Sequence, residues 1–226
     1  MTQTYKLIFK NNSSRTGNAC IYQTDPDIGN PNVMSLAWFS KGAHPGVRLN
    51  FSWGINYGFV WSETGELFPG INFSASQIVD ADLNSKNKTT FSKDSIGYFF
   101  KEPPVPGARP GALYIVEDEK IPDKLASVGI AMSGAATFAV QAGPNLQATF
   151  TPHPKYWITF GNYEQGDVLD IGEITEAAEI DFPSGVYTMV ATLNEDNTWD
   201  VKPLSAVNAQ FIAARKNGYA AIWGES

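Results

Sequence analysis

The chain reads as all-β: a sandwich of antiparallel sheets built from two pseudo-symmetric repeats, with short connecting helices and a C-terminal helix. Three observations predict this. First, the stretch 43–64 carries apolar side chains on alternate positions, Leu49, Phe51, Trp53, Ile55, Tyr57, Phe59 and Trp61, the period of two of a strand with one buried face. Second, the pattern returns 99 residues later: Ala37, Phe39, Ala43, Pro45, Phe51, Tyr57 and Trp61 are answered by Ala136, Phe138, Ala142, Pro144, Phe150, Tyr156 and Phe160. Third, aromatics, Gly, Pro, Asn, Ser and Thr are plentiful while charged residues make up 17%, a mixture suited to short strands joined by tight turns.

Taken in order, Tyr5 to Phe9 is a first strand and Asn11 to Ser14 a turn. Ala19 to Gln23 is a second strand, Asp25 to Asn32 a loop crowded with Pro, Gly and Asn, and Met34 to Ser40 a third strand. The run from Val47 to Trp61 is too long for one strand. Its echo contains Pro152 and Pro154, which cannot sit in mid-ladder, so both copies break, the first near Gly54–Asn56. Glu63-Thr-Gly65-Glu66-Leu67 then matches Glu164-Gln-Gly166-Asp167-Val168, with a Gly where a turn needs positive φ. Short helical connections are expected over Ala75–Leu83 and Ile174–Ile180, with strands after them at Tyr98–Lys101 and Val186–Leu193. Leu113–Val116, Val128–Met132, Thr137–Gln141 and Thr198–Val201 complete the strand patterns.

The organisation is a single domain over 1–226, with repeat unit one at 1–101, a proline-rich linker at 102–111, unit two at 112–203 and a helical tail at 204–226. Ser205 is placed to cap a helix over Ala206–Asn217, stopped by Gly218. A tail that closes on Tyr219, Ile222 and Trp223 is expected to dock, on its own domain or on a neighbouring subunit. Phe211, Tyr219, Ile222 and Trp223 are the candidate oligomer contacts.

The formal charge of −7, with no basic stripe, argues against a nucleic-acid partner. No apolar run is long enough for a stable membrane insertion, and the start has no apolar core of a signal peptide. The expectation is a cytoplasmic chain as synthesised, with release by a route that uses no signal peptide. One cysteine, Cys20, excludes an intrachain disulfide; its apolar neighbours make it a buried small side chain rather than a nucleophile.

His44 and His153 both precede proline, lack metal-ligand spacing and read as turn residues. Asp80-Ala-Asp82-Leu-Asn84 begins like a calcium loop but lacks its Gly and closing Glu, and Asp25, Asp27, Asn30 and Asn32 form a similar oxygen-rich loop. No catalytic residue, metal ligand or cofactor is expected. The aromatic surplus is the functional lead, since an exposed ring stacks on the apolar face of a sugar while nearby polar groups bond its hydroxyls. Neighbours in a strand face opposite ways, so one of Tyr156 and Trp157 should leave the core. Candidate ligand-binding residues are Trp157, Tyr163, Trp61, Glu63 and Glu164.

Several strings occur together: Lys10-Asn-Asn-Ser-Ser14, Ile21-Tyr-Gln23, Ser35-Leu-Ala-Trp-Phe39, Phe59-Val-Trp-Ser-Glu-Thr-Gly65, Thr151-Pro-His-Pro154 and Tyr156-Trp-Ile-Thr-Phe-Gly-Asn162. Over about Tyr5 to Pro203 the chain resembles the RhiA-type rhizosphere-expressed proteins of plant-associated bacteria. The resemblance implies abundant expression under quorum-sensing control and brings no catalytic motif with it. The expected function is a non-enzymatic binding or self-assembling protein, with a glycan and a second copy as the expected partners. The alternatives are a toxin-like membrane-active β protein and a glycan-directed hydrolase using Glu63 and Glu164.

Overall fold

The computed structural model describes residues 3–24 and 32–223, with side chains described as far as Arg215. The strands in chain order are β1 (Thr4–Asn11), β2 (Gly17–Thr24), β3 (Met34–Ser35), β4 (Ala37–Ala43), β5 (Arg48–Gly54), β6 (Tyr57–Ser62), β7 (Gln77–Ala81), β8 (Lys88–Lys93) and β9 (Tyr98–Val105). They continue as β10 (Leu113–Glu117), β11 (Ser127–Met132), β12 (Ala135–Gln141), β13 (Gln147–Phe150), β14 (Lys155–Gly161), β15 (Ala177–Glu179), β16 (Thr188–Leu193) and β17 (Trp199–Pro203). One helix, α1 (Leu204–Trp223), follows.

The expected all-β, sandwich-like class holds, and the strands form four short sheets. Their orders are β17-β16-β1-β5, β13-β10-β8-β9, β3-β12-β11-β6-β7 and β15-β14-β2-β4. Pairing is antiparallel except for β1 with β16 and β10 with β8, which run parallel. A parallel pair needs a crossover connection: residues 94–112, which include β9, join β8 to β10, and nearly the whole chain lies between β1 and β16.

The ladders fall into matched sets. Exchanging β1 with β10, β2 with β11, β4 with β12, β5 with β13, β6 with β14, β7 with β15, β8 with β16 and β9 with β17 turns each sheet order into another, leaving β3 over. Every sheet draws strands from both sides of the proline-rich segment. The register agrees locally: Leu7 faces Phe51 across β1 and β5, and Leu113 faces Phe150 across β10 and β13.

Three expectations are corrected. The connections read as helical are strands, β7 and β15, because each lies beside an unpaired ladder edge, of β6 and of β14, that supplies its backbone partners. The tail helix starts at Leu204 and runs through Gly218 to Trp223, longer than capping signals suggest. The strand begun at Tyr98 reaches Val105 and so enters the expected linker, with Pro103 and Pro104 in the irregular step of this edge strand's ladder, where the register shifts. The break between β5 and β6 falls at Ile55–Asn56, as the prolines of the echo demand. The paired turn glycines differ in role. Gly166 has φ +92, whereas a Cβ at Gly65 would meet the Lys124 carbonyl oxygen at 2.2 Å, so that glycine serves close backbone approach.

The main core is shared by all four sheets and runs from Leu7, Phe9 and Ile21 through Trp38, Phe59, Phe91 and Phe138 to Phe150 and Phe160. Trp38 satisfies its buried N–H on the Met132 carbonyl at 2.8 Å and packs edge-on against Trp53, with centroids 5.3 Å apart. Cys20 is fully buried, and burial, then the charge of Asp167, pushes its thiol far up, consistent with an inert small side chain.

Candidate functional site

The largest of the cavities described here lies where the β5–β6 and β13–β14 connections meet, at the start of β1. It measures about 530 Å³. Tyr5, Tyr57, Tyr156 and Phe182 give it aromatic walls, His153 lines it, and Lys155, Glu179 and Asp181 give it charge. Two of its pairs, Ile55 with Pro154 and Tyr57 with Tyr156, stand 99 residues apart, the spacing of the echo in the sequence.

Local sequence builds each wall. Pro152 and Pro154 end the β13 ladder and keep the approach to β14 out of the sheet. Beyond them, Lys155 and Tyr156 enter β14, which pairs antiparallel with β2. On its other side, Trp157 faces Glu179 on β15, and the Ile180 amide donates to the Tyr156 carbonyl at 2.7 Å. Alternation then buries Ile180 and leaves Glu179 and Asp181 exposed. Lys155, Glu179 and Asp181 have no ion pair among the described residues.

The aromatic wall is fixed from behind. Tyr5 meets Phe182 edge-on at 4.9 Å and Tyr187 at 5.9 Å, and Trp53 lies 5.3 Å from Tyr156. Burial pushes the Tyr156 hydroxyl up to about 12, against the opposing pull of the Trp53 indole N–H. The hydroxyl is therefore a neutral donor and acceptor at ordinary pH. The Trp53 nitrogen is buried and makes no hydrogen bond of ordinary geometry.

The residues singled out from sequence are not gathered in this cavity. Trp61 and Glu63 line another, of about 320 Å³, with Tyr98 and the exposed turn residue Ile96; the Trp61 indole donates to Gln77 Oε1 at 2.9 Å. Tyr163 lines a third, of about 230 Å³, with Leu169 and Asp170. Trp157 is half-buried, stacks against Tyr22 at 6.5 Å and donates to Thr24 Oγ1 at 2.9 Å. Glu164 sits in a turn where its amide donates to Asp167 Oδ2, and it is absent from the cavity that Glu63 lines. Of the Tyr156–Trp157 pair, Tyr156 faces the cavity. The missed residues had one sequence signal, the Thr151-Pro-His-Pro154 interruption, which marks where a strand must stop.

Phe211 is exposed, while the side chains of Tyr219, Ile222 and Trp223 lie outside the described residues, as does the loop with Asp25, Asp27 and Asn30. Asp82 is a turn residue: its carboxylate accepts from the Asn84 and Ser85 amides at 2.9 Å each, which holds it below the usual carboxylate range. Among the described residues no group of three or more His, Cys, Asp or Glu is placed to hold a metal ion. Likewise, no described helix is long and apolar enough to cross a membrane.

The family model described as RhiA matches residues 2–204. The chain belongs to the RhiA family. This RhiA-family chain is 43% identical over 203 residues to Protein RhiA of Rhizobium leguminosarum bv. viciae, covering 88% of this chain and 86% of that protein. No solved structure matches it. The family match spans all seventeen strands and ends at the first residue of α1, so the cavity belongs to the family region and almost all of the helix lies beyond it.

Proposed function

We propose that this RhiA-family protein is a non-catalytic binding protein whose cavity at the β5–β6 and β13–β14 junction takes a carbohydrate unit. One observation carries the reading: aromatic side chains, led by Tyr156 and Phe182, wall a cavity whose charged groups Lys155, Glu179 and Asp181 are unpaired among the described residues. A pyranose ring has an apolar face and a polar rim. The ring face packs on aromatic carbon, Glu179 and Asp181 accept from hydroxyls, and Lys155 donates to ring or hydroxyl oxygens. The volume suits one or two sugar rings.

Hydrolysis by the repeat-equivalent glutamates is disfavoured, because two acids flanking one glycosidic bond must share a cleft, and Glu164 does not line the cavity of Glu63. A glycan array with the purified full chain tests the proposal. Binding that is lost in a Lys155→Ala, Glu179→Ala, Asp181→Ala variant of unchanged circular dichroism supports it. An array without hits, or binding that the variant retains, overturns it.

A further inference from the structure

Among the described side chains, α1 is covered only in its first turn. Leu204, Ala206 and Val207 are half-buried, and the helix touches only β16 and β17 among the elements it contacts substantially. From Asn208 to Arg215 every side chain is exposed, including Phe211 at 62% and Ile212 at 54%. These two consecutive positions point about 100° apart, so apolar surface lies on more than one side of the helix. A 20-residue helix spans about 30 Å. In proteins most helical stability comes from packing, and among the described residues only the first turn of this helix is packed.

Its position and charge indicate what covers it. Pro203, just before the helix, pairs with Met189, and the next residue back, Thr188, pairs with Lys6. The helix thus leaves the body at the end of the β17-β16-β1 ladder where Tyr187 meets the cavity residue Tyr5. That end exposes Ile55 (44%) and Tyr187 (43%), and in the cavity lining the two carboxylates of Glu179 and Asp181 stand against one lysine, Lys155. The helix itself has none of the chain's 23 acidic residues and carries two cations, Arg215 and Lys216.

We infer that α1 is the contact arm for a second copy of this chain, in a twofold pair where each helix lies across the acidic, apolar-flecked face around the other copy's cavity. A twofold contact requires both complementary surfaces on one molecule, since whatever surface i offers to j is returned. Here the cationic, apolar helix and the acidic face sit at the same end. The inference rests on the helix and holds whether or not the cavity takes a sugar.

Sedimentation velocity of the full chain, without glycan, at low and high salt is the test. The expected result is a reversible dimer that weakens at high salt. Phe211→Asp with Ile212→Asp should make it monomeric, and Arg215→Glu with Lys216→Glu should weaken it about tenfold or more. Adding Glu179→Lys with Asp181→Lys to the helix reversal should restore association. A monomer at every concentration, a dimer indifferent to the helix variants, or reversal without rescue overturns the inference. So does a monomer whose helix instead binds anionic lipid vesicles. Because the readout is mass, failure here is separate from failure to bind glycans.

Discussion

The Ile180 amide donates to the Tyr156 carbonyl across 2.7 Å. This single bond carries the β14–β15 pairing one step past β15, and so sets Glu179 and Asp181 beside the cavity face of Tyr156. Ile180→Pro removes the donor and places a ring where the partner strand lies. It is expected to cost about 1–3 kcal/mol in chemical denaturation and to abolish glycan binding, whereas Ile180→Val should retain both. Equal binding by the proline variant would show that this register does not build the cavity.

A buried carboxyl makes the fold pH-sensitive. Glu117, 2% exposed at the end of β10, accepts the Gly143 amide at 2.7 Å, and burial pushes its pKa up to about 7. Its folded value lies above its unfolded one, so the stability it contributes is fully present below about pH 4.5 and is lost as pH rises through 7. Denaturation at pH 5 and pH 8 should therefore show the parent losing on the order of 2–3 kcal/mol more than Glu117→Gln over that interval. Parallel pH profiles would contradict the assignment.

Close backbone approach at Gly129 gives a third expectation. A Cβ there would lie 2.0 Å from the Phe138 carbonyl oxygen, across the β11–β12 ladder near its irregular step. Gly129→Ala should destabilise the chain by roughly 3 kcal/mol or more, or prevent folding, because a ladder strand must move. Thermal melts that match the parent would show the strands to be further apart.

The shared sheets predict behaviour on division. No sheet can be completed by strands from one side of the segment between β9 and β10. Pieces 1–105 and 106–226 should each lack a cooperative melt and regain one when coexpressed. A cooperative melt from either piece alone would show that its strands can pair in another way.

Much of this architecture was legible and some of it was not. Alternation from Leu49 to Trp61 placed β5 and β6, and the prolines at 152 and 154 located the break between them. What periodicity cannot express is which edges meet. Nothing local to Gln77–Ala81 or Ala177–Glu179 signals that β6 and β14 leave edges for them, so both segments read as helical. The same limit hid the cavity. Trp157 attracted notice by its size, yet its indole is occupied by Thr24 and Tyr22, while Glu179 and Asp181 reach Tyr156 only through strand pairing. Glu63 and Glu164 matched in sequence because both occupy turns, a role that needs no shared cavity.

The reading of the cavity as a sugar site is tested most directly by amide-resolved NMR of the full chain titrated with a glycan that binds on the array. The account predicts saturable shifts confined to Tyr5, Ile55–Tyr57, His153, Lys155–Tyr156 and Glu179–Phe182. Saturable shifts centred instead on Trp61 and Glu63, or on Tyr163, with those amides unmoved, would contradict it.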